Sequence, residues 1–200
     1  APFLAATDGK LFAADLQTND PGEPASAEIV AAYRRKLRAR PKLYGDVAIT
    51  AFGPTSGAVG PAGSADLALF LRNVHNWMAA GIAEKAFHDA FVALKPGGVL
   101  GVEEHRADAG GVQDVLAADG YVQQAYVAQL AQEAGFILDK ASEINANPKD
   151  TKDHPFGVWT LPPVRRSSPR GQPDDPTFDH AKYEAIGESD RMTLRFVKPT

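Results

Sequence analysis

The feature that most constrains the fold of this chain is a strand–helix–strand pattern between Ser64 and His105. Residues 67–71 form a continuous apolar run, which is typical of a strand buried on both faces of a parallel sheet. Residues 83–94 carry apolar side chains at spacings of three and four, which predicts an amphipathic helix. A Pro-Gly-Gly sequence ends that helix, and residues 99–102 form a second short strand. This order predicts a βαβ unit of two parallel, neighbouring strands in an α/β fold.

Polar side chains follow both predicted strands at the points where the strands end. The first strand is followed by Arg72, Asn73, His75, Asn76 and Trp77, and the second by Glu103, Glu104 and His105. In open α/β sheets, ligands bind beyond the carboxyl ends of the strands. We therefore interpret His75 and His105 as candidate general bases, although a histidine at a strand end can also be a structural hydrogen-bond partner. Side-chain alternation directs one of the two glutamates toward the cleft, and we favour Glu104.

The same residues leave a metal site open as an alternative. His75, His105 and a neighbouring glutamate carry groups that bind metals, and His154 could add another imidazole. The sequence has neither an H-x-x-x-H nor an H-E-x-x-H spacing, so we predict no metal ion and keep a metal-dependent hydrolase as an alternative only. His154 and Trp159 either form a wall over a substrate or anchor the surrounding segment to the core.

The segments before this unit continue the alternation of strands and helices. Residues 10–14 and 47–52 are predicted strands, and residues 27–40 between them form an amphipathic helix that Ser26 can cap. Asp15 follows the first of these strands, where a carboxylate can accept two hydrogen bonds from ribose hydroxyls. An ordinary strand-end or helix-capping role is the alternative for Asp15.

The segments after the unit complete a single predicted domain, 1–200. Residues 121–134 have helical periodicity, and residues 136–144 form the next predicted strand. We expect that strand to pair with residues 192–197 as an antiparallel hairpin at the edge of the sheet. Residues 145–190 hold most of the prolines and are predicted to form an irregular insert or lid.

The composition fits one globular domain without a bias toward nucleic acid or membranes. The chain has 200 residues, of which 44% are hydrophobic, and a net charge of -4, which gives no broad cationic field for nucleic acid. No apolar run approaches the ~20 residues of a membrane-spanning helix. The absence of cysteine excludes disulfides and thiolate metal sites. The compartment stays open between cytoplasm and periplasm, because any export signal would lie upstream of residue 1.

Several short motifs in this order resemble one protein family. The sequence L-K-P-G-G-V-L, from residue 94, resembles the segment before the fifth strand of class I S-adenosylmethionine-dependent methyltransferases. The pieces F-L-R-N-V-H-N-W, G-V-E-E-H-R-A, S-E-I-N-A-N-P-K-D and G-V-W-T-L-P-P resemble an uncharacterised bacterial branch of that superfamily. The ordered set spans nearly the whole chain and is more specific than any single piece.

This resemblance implies a Rossmann-like methyltransferase fold with a mostly parallel, twisted sheet, helices on both faces and an antiparallel C-terminal edge hairpin. It implies S-adenosyl-L-methionine as the cofactor and a small molecule as the methyl acceptor. Neither nucleic acid nor a membrane is an expected partner, and a homodimer stays open. A binding module that keeps the fold without catalysis is the alternative function.

The resemblance also implies roles for individual residues. The candidate catalytic residues are His75, His105 and Glu104, and the candidate cofactor-binding residues are Asp15, Phe52, Gly53 and Asn73. The resembling proteins begin with a strand and a glycine-rich turn that approaches the methionine end of the cofactor. We expect that segment to lie upstream of Ala1, and its strand to lie between residues 10–14 and 67–71 in the sheet.

Overall fold

The computed structural model describes residues 2–16 and 24–200 of the chain. The chain divides into two compact units, Ala1–Ala65 and Asp66–Thr200, and each is described by itself. Both units combine helices with strands, as the predicted α/β fold class requires.

The first unit contains two parallel strands and three helices among its described residues. In chain order these are α1 (Pro2–Ala6), β1 (Leu11–Leu16), α2 (Pro24–Ala39), α3 (Pro41–Tyr44) and β2 (Val47–Phe52). β1 and β2 pair in parallel, with Asp15 opposite Ala51. The prediction that Ser26 caps α2 is wrong, because the helix already begins at Pro24. Proline suits the first helical position, where the backbone N–H would have no intrahelical partner.

The second unit is built on a four-stranded mixed sheet. Its elements are β3 (Ala65–Leu71), α4 (Val74–Ala79), α5 (Ala83–Ala93), β4 (Leu94–His105), α6 (Gln124–Glu133), β5 (Ile137–Ser142), the 3₁₀ helix η1 (Gly157–Thr160), α7 (Ala181–Ile186) and β6 (Arg191–Val197). The strand order is β3-β4-β6-β5, and β6 is antiparallel to both of its neighbours. The predicted antiparallel hairpin of the last two strands is therefore confirmed.

The two strands of the predicted βαβ unit are neighbours in this sheet. Near their beginnings, Lys95 Nζ lies 2.7 Å from Asp66 Oδ1. Near their ends, the Arg72 N–H donates to the Glu103 carbonyl oxygen at 2.8 Å. Because these contacts follow the same order along both strands, β3 and β4 run parallel, and their carboxyl ends meet at one edge.

The prediction that the first strand of this unit is buried on both faces is wrong for the described structure. Leu67, Leu69 and Leu71 of β3 are 54%, 57% and 51% exposed, whereas Phe70 on the opposite face is buried. β3 is an edge strand with β4 as its single neighbour among the described residues. Periodicity alone could not reveal the exposed face, because a continuous apolar run does not report whether other elements pack on both faces of the strand.

One helix prediction also needs correction, and one helix was not predicted. No element was assigned to the polar residues after β3, where Val74 begins the short helix α4. α6 begins at Gln124 rather than Tyr121, because the preceding Val122 forms a parallel bridge with Arg106. In that bridge the Val122 N–H donates to the His105 carbonyl oxygen at 2.9 Å, so its backbone is already paired outside the helix.

The core of the second unit lies between α5 and the sheet. α5 buries one face, as its periodicity predicts, and Phe87 on that face is fully buried. Leu100 of β4 and Phe196 of β6 are also almost completely buried. Burying a large apolar side chain contributes about 1.5–3 kcal/mol, so these residues stabilise the strand ends on which the polar side chains sit.

A network of buried hydrogen bonds anchors the insert 145–190 to this core. The carboxylate of Asp150 has no exposed surface. It accepts hydrogen bonds from the Tyr121 hydroxyl at 3.0 Å, from His154 Nε2 at 2.8 Å and from the Asp190 N–H at 2.7 Å. Burial and the charge of Asp150 raise the pKa of Tyr121, so its hydroxyl stays protonated as a donor. Of the two roles open to His154 from the sequence, the structure shows the anchor.

We expect Gly157→Ala to destabilise the protein by about 2 kcal/mol or more. Gly157 has φ +59, and an added Cβ would lie 2.2 Å from the Asp119 carbonyl oxygen. That oxygen accepts a hydrogen bond from the Val158 N–H at 2.8 Å, so the clash also displaces η1. Gly171→Ala is the matched control, since Gly171 has φ +84 but no atom within 4 Å of an added Cβ. Equal losses in chemical denaturation for both variants would show that the contact with Asp119 is unimportant.

Candidate functional site

A cavity of about 260 Å³ lies in the second unit, where β3 and β4 end. It is lined by Leu71, Arg72, His75, Asn76, His105, Val158, Trp159, Leu161, Pro162, Pro163, Val164, Glu188, Ser189 and Arg191. The first five residues come from the two strand ends and from α4, as the sequence predicts. Eight of the others belong to the insert, so the insert supplies most of the remaining wall.

Glu104 is the buried centre of the site. Its side chain has no exposed surface. Oε2 accepts hydrogen bonds from the Val74 N–H at 2.6 Å and the His75 N–H at 3.3 Å, and Oε1 accepts from the His105 N–H at 2.9 Å. Oε1 also contacts His75 Nδ1 at 2.9 Å. Four donors therefore surround one carboxylate, which joins the end of β4 to the beginning of α4.

This arrangement fixes the orientation and tautomer of His75. An ionised carboxylate only accepts hydrogen bonds, so Nδ1 of His75 carries the proton that points to Glu104. In this tautomer the ring has its lone pair on Nε2, which has no hydrogen-bond partner within residues 2–16 and 24–200. Because His75 lines the cavity, this nitrogen is available as a proton acceptor.

His105 contributes a second, neutral imidazole to the cavity. Its Nδ1 lies 2.6 Å from Ser189 Oγ, and its ring centroid lies 5.3 Å from that of His75. Burial lowers the pKa of His105 to about 4, and the charges of Arg72 and Arg191 act in the same direction, although Glu104 opposes them. At neutral pH, His105 can therefore exchange hydrogen bonds with a ligand without adding charge.

The lowered pKa of His105 predicts a loss of stability in acid. The folded protein binds this proton less tightly than the unfolded chain. The stability that the neutral imidazole contributes is therefore fully present above about pH 6.5 and is lost as the pH falls toward 4. We expect the wild type to lose roughly 2–3 kcal/mol more than His105→Gln over this interval. Urea unfolding of both proteins from pH 7 to 4 measures the difference. If the free energies of unfolding of the two proteins fell in parallel with pH, the assignment of a buried neutral imidazole would be contradicted.

The two guanidinium groups that line the cavity have different partners. Arg191 Nη1 lies 2.7 Å from Glu188 Oε2, and its Nε lies 3.1 Å from Glu103 Oε1 without hydrogen-bond geometry. Arg72 has no ion-pair partner in the part of the chain that the structure describes. Arg72 also has φ 57, an uncommon backbone conformation for a residue other than glycine.

The insert forms the apolar side of the cavity. Trp159 lies with its ring centroid 5.9 Å from that of His75, and Arg166 covers the Trp159 ring at 4.8 Å. Leu161 and Val158 are buried beside it. Of the two roles that the sequence leaves open for Trp159, the structure shows the wall position.

A metal ion fits this cluster poorly. His75, Glu104 and His105 have potential ligand atoms within 4.8 Å of one another. The carboxylate of Glu104, however, already accepts from four N–H groups, which occupy the roughly four lone-pair positions of its two oxygens. A metal bound by Glu104 would have to displace donors that are themselves buried.

The predicted cofactor residues lie in both units. In the first unit, Asp15 Oδ2 accepts from Arg34 Nε at 2.9 Å, which leaves Oδ1 without a hydrogen bond among the described residues. Phe52 is buried, and the Gly53 N–H lies 3.0 Å from Ser56 Oγ within its own loop. In the second unit, Asn73 precedes α4 with an exposed side chain whose Nδ2 donates to the Leu71 carbonyl oxygen.

Sequence reasoning missed the cavity residues Glu188, Ser189 and Arg191. They lie more than 80 positions after His105 in the chain, and no motif connects them to it. The antiparallel pairing of β6 with β4, which places Arg191 opposite His105, brings them to the site. The predicted edge hairpin was the single available signal for their position.

Comparison with known proteins supports the fold through structure alone, because no family model and no curated protein matches the sequence. The chain is similar to an S-adenosylmethionine-dependent methyltransferase from Methanosarcina mazei, with a TM-score of 0.53, 11% identity, and 98% of this chain and 85% of that chain covered. The chain has the fold of S-adenosylmethionine-dependent methyltransferases. It is also similar to a candidate sarcosine dimethylglycine methyltransferase from Galdieria sulphuraria, with a TM-score of 0.50, 15% identity, and 92% and 68% covered.

A third structure shows why this methyltransferase fold does not settle the reaction. The chain is similar to the cyclase SpnF, with a TM-score of 0.52, 17% identity and 88% of this chain covered, and it spans 63% of the SpnF chain. Since proteins with different named activities share the fold, the reaction must be argued from the residues of the site. Within the described residues, no helix is both long and apolar enough to cross a membrane.

Proposed function

We propose that this protein is an S-adenosylmethionine-dependent methyltransferase that acts on a small molecule. The observation that carries the proposal is the pairing of Glu104 with His75 at a cavity formed at the ends of two parallel strands. In this fold class such strand ends are where ligands bind. The cavity of about 260 Å³ lies just below the range of drug-sized sites, which fits a small acceptor.

The chemistry requires an accepting atom to be aligned and, when it carries a proton, deprotonated. S-adenosylmethionine would supply a methyl group on a sulfonium, whose carbon–sulfur bond breaks with the electron pair going to sulfur. His75 Nε2 takes the proton of the acceptor hydroxyl as the new carbon–oxygen bond forms. Glu104 is a positioning residue, since it orients the ring of His75 and stabilises the imidazolium that this proton transfer creates.

His105 has a supporting role in this proposal. Burial lowers the pKa of His105 to about 4, so its imidazole adds no positive charge beside His75 near pH 7. Its ring lies beside that of His75, and Ser189 holds its Nδ1. His105 can therefore form a hydrogen bond with the acceptor and help to align it for in-line attack.

The proposed cofactor contacts come from available polar atoms and from one aromatic side chain. Asp15 Oδ1 and the side-chain oxygen of Asn73 have no hydrogen bonds within residues 2–16 and 24–200, so both can accept from hydroxyl groups. Phe52 is the last residue of β2, which pairs with β1, and Gly53 follows it; we retain both as proposed neighbours of the adenine.

Asp15→Ala should weaken binding of S-adenosylhomocysteine by about 1–3 kcal/mol, because a charged acceptor of ribose hydroxyls is lost. Isothermal titration calorimetry measures this change. Arg34→Gln is the control, since it breaks the 2.9 Å contact with Asp15 but leaves the carboxylate in place. Unchanged affinity in a folded Asp15→Ala protein would exclude the ribose contact.

Two measurements separate the proposed enzyme from a binding module without catalysis. Calorimetric titration with S-adenosylhomocysteine tests whether the protein binds the cofactor product at all. A methyl-transfer assay over a panel of small hydroxyl and amine compounds then tests catalysis. Binding without transfer to any compound would favour the binding module, and the absence of binding would overturn the proposal.

A further inference from the structure

We propose that the acceptor carries an anionic group and that Arg72 binds it. The guanidinium of Arg72 lines the cavity without an acidic partner among the described residues, whereas Arg191 is paired with Glu188 and Glu103. The assignment of the anion to the acceptor rests on the proposed methyl transfer. The anionic subsite itself rests on Arg72 and its surroundings.

Of the two guanidinium groups that line the cavity, Arg72 is the one without an acidic partner within the described residues. Glu188 and Glu103 face Arg191. Glu104 is fully buried and accepts four hydrogen bonds, so its charge is already solvated by N–H groups. Burial keeps His105 neutral near pH 7. An anion that enters the cavity therefore meets a cation whose charge has no internal partner.

The backbone indicates that the position of Arg72 is built into the fold. A left-handed conformation such as its φ of 57 costs about 1 kcal/mol or more for a residue with a Cβ. The conformation is held by the hydrogen bond from the Arg72 N–H to the Glu103 carbonyl oxygen at 2.8 Å. It turns the chain from β3 toward α4 and leaves the guanidinium at the cavity.

Asn76 extends the same polar side of the cavity. Asn76 lies in α4, four positions after Arg72, and its carboxamide has no hydrogen bond among the described residues. A guanidinium beside an amide N–H₂ gives two kinds of donor, both suited to the oxygens of an anion. No acidic side chain of the described chain is paired with either group.

The apolar and aromatic residues that line the cavity determine the rest of the ligand. Leu71, Leu161 and Val158 are apolar, and the rings of Trp159 and His75 add flat surfaces. A small aromatic body fits such a wall. With the hydroxyl at His75 Nε2 and the anion at Arg72, the ligand class is a monocyclic hydroxy-aromatic acid. Carboxylate and phosphate share the required chemistry.

Calorimetric titration of the full chain with three probes tests this assignment. The probes are 4-hydroxybenzoate, its neutral methyl ester and 4-hydroxyphenyl phosphate. We expect 4-hydroxybenzoate to bind, and Arg72→Gln to weaken it by about 10- to 100-fold while the ester is unaffected. The affinity of Arg72→Lys for 4-hydroxybenzoate should lie between those of the wild type and Arg72→Gln, because lysine keeps the charge but loses the bidentate geometry. Arg195→Gln is the control, since Arg195 pairs with Asp139 and does not line the cavity.

Each outcome decides the proposal. Tighter binding of the phosphate that depends on Arg72 supports the anionic subsite and identifies phosphate as its group. Equal losses for acid and ester in Arg72→Gln, or no binding of either anionic probe at millimolar concentration, overturn it. A parallel loss of S-adenosylhomocysteine affinity in Arg72→Gln also overturns it, because Arg72 would then bind the cofactor. Binding of 4-hydroxybenzoate through Arg72 without any binding of S-adenosylhomocysteine would instead refute the methyltransferase function.

Discussion

Glu104→Ala should lower the free energy of unfolding by about 3–5 kcal/mol. The substitution leaves the N–H groups of Val74, His75 and His105 and the ring of His75 without their acceptor in a fully buried place. Each unsatisfied buried donor costs about 1–3 kcal/mol, although relaxation and water entry recover part of the sum. Urea denaturation followed by circular dichroism measures the loss.

Two further variants separate the roles of Glu104. Glu104→Gln keeps the shape and one acceptor oxygen but directs an amide toward existing donors, so an intermediate loss is expected. Glu133→Ala removes an exposed carboxylate of α6 and should leave the denaturation midpoint nearly unchanged. A Glu104→Ala protein as stable as the wild type would show that the four-donor arrangement does not stabilise the fold.

His75→Ala should reduce the rate of methyl transfer by about 10²- to 10⁴-fold for an acceptor that must lose a proton. The acceptor for this test is a compound that the wild type methylates in the panel. Affinity for S-adenosylhomocysteine should change little, because the proposal assigns His75 to the acceptor. Single-turnover rates give the loss of the chemical step directly.

The pH dependence distinguishes a base from a residue that only shapes the cavity. The loss of methyl-transfer rate in His75→Ala should become smaller as the pH rises toward the pKa of the acceptor hydroxyl. More of the acceptor is then already deprotonated in solution and needs no base. Added imidazole should restore part of the rate at neutral pH. His88→Ala is the matched control, because His88 is an exposed histidine of α5 that lies outside the cavity. A deficit that is constant with pH would argue against proton abstraction by His75.

The local elements of the second unit could largely be predicted from the sequence. The α5 periodicity, the Pro-Gly-Gly sequence after it and the two apolar runs identified the βαβ unit. Helix and strand periods are local properties, so a single sequence can reveal them. His75 and His105 could be singled out for the same reason, because each comes within four residues of the end of an apolar run and strand ends are where ligands bind in this class.

What the side chains of the site do was decided by the tertiary structure. The sequence alone permitted Glu104 to be a base, a metal ligand or a structural residue, and the four N–H donors from two elements identify it as an orienting carboxylate. The low pKa of His105 results from burial, which no local pattern reports. In the same way, the apolar run of β3 does not report that the face carrying its leucines is exposed, because face burial depends on what packs against the strand.

The cavity wall depended most on long-range contacts. Ser189 lies 84 positions from its partner His105, and the insert that holds it has no regular period from which its path could be predicted. The sequence by itself therefore determined the type and order of the elements and the strand ends that carry the histidines. Tertiary structure determined which groups are buried, paired or left unpaired at the cavity, because hydrogen-bond saturation and desolvation depend on neighbours that are distant in the chain.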